Sequence, residues 1–219
     1  MRLLDELRAE HVLIEAVAGS LLTFAARRAR GEAVEADGSA FLRFFTGYSG
    51  GYHHAREEDS LFPALVESAE LPPDRGPIGS FLSQHREMEG VLSETTPLLL
   101  AAGPLAPEAG ARLGELAGRY VRELWQHIDA ENSVLLPESE ERLRRAGVVE
   151  LPSRPPAAEE EAARAEGERL VAAYPPSNDP VAVRGEGCVV CPSYGTTCGG
   201  VEREWWNDYE WDEFSERLG

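Results

Sequence analysis

A histidine and a glutamate recur four residues apart at His54-x3-Glu58, His85-x3-Glu89 and His127-x3-Glu131. On a helix, residues four apart lie one above the other on the same face, so each motif sets an imidazole beside a carboxylate. A fourth imidazole, His11, falls on an apolar stripe with Leu4, Leu7, Ile14, Ala18 and Leu21. For a single pair, a satisfied helix histidine would be explanation enough. Together, four inward imidazoles and three inward carboxylates carry a heavy desolvation cost unless positive charge lies among them, and a pair of metal ions supplies it. Nitrogen and oxygen donors in similar number suit iron, with manganese or zinc as other options. The candidate ligands are therefore His11, His54, Glu58, His85, Glu89, His127 and Glu131. His53 and Glu57 form another such pair, rotated by roughly 100° from the first. They support the ligands from behind, form an alternative ligand set, or lie on the helix surface.

These residues need four helices to hold them. Helical periodicity runs from about Leu3 to Arg30, from the Gly31–Gly38 break to about Ala69, from Pro77 to Gly103, and from Ala106 to Ala146. Asp37 is a plausible cap for the second segment, Pro72-Pro73 stops it, and Pro77 suits the first turn of the third. Connections of about 4 to 8 residues favour antiparallel neighbours. The expected fold is all-α: an up-down-up-down four-helix bundle over residues 1–148. Residues 149–184 read as an acidic helix, about Ala157 to Tyr174, and a proline-rich linker; residues 185–219 read as a small irregular cysteine-containing extension. Gly50 and Gly51, one turn before His54, either leave space for oxygen or a substrate or let helices pack closely. Tyr120, two turns before His127, is a core tyrosine or hydrogen-bonds a ligand.

All five histidines lie in the first 127 residues and all three cysteines in the last 32. Cys188, Cys191 and Cys198, interleaved with glycine, have the spacing of a metal knuckle. Three thiolates are one short of a closed site, so a carboxylate, a partner residue, water or substrate would complete it. Zinc or an iron–sulfur cluster is the expected occupant, with free thiols or a redox pair as the alternative. The following segment, 201–219, carries Trp205, Trp206, Trp211, Tyr209 and Phe214. It packs back on the bundle or meets a redox or other protein partner.

With 39 acids, 21 arginines and no lysine, the chain carries a net charge of -18. That field repels phosphate backbones and anionic lipid, which argues against nucleic acid and membrane surfaces as partners. No apolar run approaches the ~20 residues that span a bilayer, and the start of the chain turns acidic at once, so a cytoplasmic location is expected.

His11, His54-Ala55-Arg56-Glu57-Glu58-Asp59-Ser60-Leu61-Phe62-Pro63, His85 and His127-Ile128-Asp129-Ala130-Glu131 together resemble the hemerythrin-like family, the HHE cation-binding domains, over about residues 1–145. The resemblance implies two non-haem irons in a four-helix bundle. Carried over, Glu58 and Glu131 would bridge them, His11 and His54 would hold one iron, and His85 and His127 the other. Two positions depart from the oxygen carriers of that family: Glu89 replaces a histidine, and Glu131 follows its histidine after three residues where an aspartate follows after four. Added negative charge stabilises ferric iron and moves the expectation from reversible oxygen carriage toward redox chemistry or sensing of O2 or NO. The alternatives are a di-iron oxidase or oxygenase acting on a small substrate, and iron storage or handling.

Overall fold

The computed structural model describes residues 1–177, which are helical with no strand among them. The three cysteines and the aromatic tail lie outside the described residues. Helix α1 spans Arg2–Ala29. It forms because Leu3, Leu4, Leu7, Ile14, Val17, Leu21 and Phe24 recur at helical spacing and all become fully buried. By length and composition alone α1 could cross a bilayer, but half of its apolar window is buried inside the molecule. Helix α2 covers residues 38–69 and is not uniform. It opens as an α-helix over Gly38–Arg43, widens to π-helix over Phe44–His54 and again over Glu57–Leu61, and closes as α-helix over Phe62–Ala69. Glu70, at φ 56°, turns the chain out of it ahead of Pro72 and Pro73.

Helix α3 is Gly76–Leu99. Helix α4 covers residues 107–145, with a π turn at Glu131–Leu135 between α-helical stretches Pro107–Ala130 and Leu136–Arg145. It ends in a Schellman motif at Gly147 (φ 82°), where the Gly147 and Val148 amides donate to the Arg144 and Leu143 carbonyls. Both short π turns precede a proline, Pro63 and Pro137. Proline has no N–H to close the preceding α turn and its ring crowds the carbonyl four residues back, so the helix admits an extra residue there.

The apolar core falls into two clusters. One contains Ile14, Leu21, Phe24, Phe41, Phe45, Met88, Val91, Leu113, Tyr120 and Leu124. The other contains Leu3, Leu4, Leu7, Leu61, Phe62, Leu65, Ile78, Phe81, Leu135, Leu136 and Leu143. Along every one of the first four helices the histidines fall where the chain passes from one cluster to the other. The polar layer is thereby sandwiched between two oily ones.

A fifth helix, α5 (Ala158–Ala173), packs against α1 and α2. Ala163, Gly167, Leu170 and Tyr174 face inward, and Tyr174 donates to Asp37 at 2.6 Å. The segment expected to combine a helix with a linker thus contributes core. Leu170 is fully buried, so Leu170→Ala should cost ~2–5 kcal/mol. Urea unfolding reads this directly; a loss below ~1 kcal/mol would mean that α5 does not unfold with the bundle.

Candidate metal centre

Five histidines and two glutamates meet in the polar layer. His11 comes from α1, His53, His54 and Glu57 from α2, His85 from α3, and His127 and Glu131 from α4. The Nε2 atoms of His11 and His53 lie 3.0 Å apart, and those of His85 and His127 3.2 Å apart. Between the two pairs sit two carboxylates, both completely buried. Glu131 sends Oε2 to His11 Nε2 at 3.1 Å and Oε1 to His127 Nε2 at 3.2 Å. Glu57 sends Oε1 to His53 Nε2 and Oε2 to His85 Nε2, each at 3.6 Å. The result is two groups of donors, His11, His53, Glu57 and Glu131 in one and Glu57, His85, His127 and Glu131 in the other, each close enough to share an ion. His54 stacks on His85 at 4.0 Å and joins His85 and His127 as a third group.

The outer face of each ring explains why the inner nitrogens are lone pairs. Nδ1 of His11 donates to Asn132 Oδ1 at 2.8 Å, Nδ1 of His53 to Glu10 at 2.9 Å, Nδ1 of His85 to Glu58 at 2.6 Å, and Nδ1 of His127 to Gln84 Oε1 at 2.9 Å. With the proton on Nδ1, two Nε2 lone pairs face each other in each pair. Such a contact is repulsive unless a cation lies between them and the carboxylates. Burial pushes His53 down to about 4, which keeps the ring in its neutral, metal-binding form. Glu10 is itself held by Arg56, which is buried and also pairs with Glu6, so His53 is oriented by a chain of three charged groups.

Electrostatics test whether metal ions fit. Burial and the neighbouring Glu131 charge push Glu57 well above the usual carboxylate range. Burial also pushes Glu131 upward, but in the metal-free layer a proton taken up by the neighbouring His127 or His11 ring outweighs that and holds it well below. Without a cation only one of the two carboxylates ionises comfortably. Among the described residues, none of the four oxygens of Glu57 and Glu131 has a hydrogen-bond partner, and His54 Nε2 is buried without one. Orphaned oxygens and nitrogens converging in one buried layer are the condition that two bound divalent ions relieve. The donor set fits them.

Of the residues expected from sequence, the structure brings His11, His54, His85, His127 and Glu131 together. Glu58 and Glu89 lie elsewhere. Glu58 is 41% exposed at its side chain and supports His85 from outside, while Glu89 is exposed at the rim of a cavity. Their inward places are taken by Glu57 and by His53, the pair whose role the spacing left open. For Glu58 the physical reason is the π-helical register of α2, in which a regular 100° rotation per residue assigns the wrong neighbour to the inward face. A signal for this was present in the chain: counted back from the two prolines, His53-x3-Glu57-x5-Pro63 has the same spacing as His127-x3-Glu131-x5-Pro137.

A helical bundle with buried histidines and glutamates grouped to hold cations defines a metal-binding helical protein. The match of the hemerythrin HHE cation-binding domain model to residues 2–139 goes further. The chain belongs to that family. No curated protein and no solved structure gives a significant match to it.

Proposed function

We propose that this chain is a non-haem di-iron protein that binds or reacts with O2 or NO in a redox or sensing role. The observation that carries the reading is the pair of facing Nε2 contacts, 3.0 and 3.2 Å, joined by two glutamates that each offer one oxygen to either pair. One group of donors would be His11 and His53, the other His54, His85 and His127, with Glu57 and Glu131 shared. A bound di-iron centre supplies redox equivalents and open coordination positions for a diatomic gas. The protein's own part is to fix the imidazole tautomers through Asn132, Glu10, Glu58 and Gln84, and to keep water out with the apolar clusters on either side. The alternating passage of the first four helices between those clusters supports an up-down-up-down arrangement.

Cys188, Cys191 and Cys198 are proposed to hold a separate metal, zinc or an iron–sulfur cluster, that relays electrons or the sensed state to a protein partner through the tail. A cytoplasmic location accords with thiolates available for metal. A second reading, a di-iron oxidase or oxygenase, is favoured by one observation: a cavity lined by Gly50, Gly51, His54 and His85 reaches the donor layer from outside.

Metal analysis and Mössbauer spectroscopy on anaerobically purified protein test the first reading. About two irons per chain are expected to remain in a variant with all three cysteines changed to serine. A single iron, or zinc alone, in that variant would remove the di-iron assignment.

A further inference from the structure

The cavity that reaches the donor layer has features that iron ligation does not use. It measures about 670 Å³, within the ~300–1,000 Å³ that accommodates a small organic molecule. It lies between α2 and α3 and opens to solvent. Leu42, Phe45, Met88 and Leu92 give it apolar walls, and His54 and His85 lie at its inner end. The wall at Gly50 and Gly51 is vacant: a Cβ on Gly50 would meet only the Phe45 carbonyl at 3.4 Å, and one on Gly51 only that of Thr46 at 3.2 Å. Glycine there leaves room that helix packing does not consume.

The polar groups on this cavity point to what fills it. Two of its lining residues, Arg43 and Glu89, are charged. Arg43 is taken by Glu166, to which its Nε donates at 2.8 Å. Glu89 has no hydrogen bond or ion pair among the described residues. Tyr120 is 3% exposed, yet its hydroxyl also makes no hydrogen bond there. Burial, with the Glu89 charge nearby, pushes that hydroxyl up, so it stays protonated and offers a neutral oxygen lone pair. An uncompensated carboxylate, a free phenol oxygen and aromatic faces all favour a cation over an anion. The net charge of -18 adds to the same preference.

We propose that this cavity binds an organic amine, its ammonium group held by Glu89 and Tyr120 and its apolar body lying along Phe45, Met88 and Leu92. The di-iron reading is not required for this. Recording metal content in the same samples lets the two fail separately.

The test uses full-length, metal-loaded protein and three probes of similar size titrated calorimetrically at neutral pH: 2-phenylethylamine, 2-phenylethanol and 3-phenylpropanoate. The amine is expected to bind saturably at one per chain, roughly ten-fold tighter than the alcohol, with the carboxylate weakest. Glu89→Gln, an exposed change that should leave metal content intact, is expected to bring the amine down to the level of the alcohol. Gly50→Leu, which fills the vacant wall, should weaken both. A carboxylate that binds as tightly as the amine, an amine preference that survives Glu89→Gln, or the absence of saturable amine binding would each overturn the proposal.

Discussion

Glu57→Ala should strip the centre of metal while Glu58→Ala leaves most of it in place. Glu57 is completely buried, both of its oxygens lack hydrogen-bond donors among the described residues, and it contributes to both four-residue donor groups. On the di-iron reading, its removal would take an anionic donor from both groups at once. Bound iron should fall from about two per chain to about one or fewer, because ligand loss of this kind is paid in metal affinity. Glu58 touches the centre only through the Nδ1 proton of His85, at 2.6 Å, with its side chain 41% exposed. Losing such a supporting partner weakens affinity by about 10- to 100-fold. Competition against a chelator of known affinity separates the two cases. Equal losses in both variants would mean that Glu58, as the family resemblance first implied, is also an ion's direct ligand.

Metal removal should destabilise the bundle strongly. In the emptied layer, two pairs of imidazole lone pairs face each other and a buried glutamate must take up a proton. Ions that bind only the folded state stabilise it by ~4 kcal/mol per site when free metal exceeds the dissociation constant a thousand-fold. For a chain of this length ~1 kcal/mol moves the melting temperature by ~2–4 °C. Two sites together predict a fall of roughly 15–30 °C on chelation, read by calorimetry before and after metal is restored. A shift of only ~2–3 °C would show that the layer tolerates being empty, and the electrostatic argument for two ions would lose its force.

Much of this protein is legible in its sequence. The periodic leucines of α1, the Pro72-Pro73 stop, the break at Gly103-Pro104 and the run from Leu113 to Val134 define four helices, because burial of one face and the chemistry of proline are local matters. Histidines on all four helices, with carboxylates a turn away, likewise announce a cation site: desolvation of that many polar groups has few other remedies. Composition alone sets the net charge of -18.

Which carboxylate of the His53-His54-Ala55-Arg56-Glu57-Glu58 run faces the metal layer, and that both of its histidines do, was decided by tertiary structure. Adjacent residues on a helix are separated by a rotation that a single widened turn can undo, and α2 contains two π-helical segments around this run. The docking of α5 also belongs to tertiary structure, since its acidic sequence has a small apolar face whose value depends on Phe44 and Val17 lying opposite Gly167. The same holds for the cavity by Glu89: two glycines in a row leave space only because, among the described residues, no neighbouring helix moves in to fill it. Local sequence sets what each helix can present. The packing of the others sets which of those faces is inside.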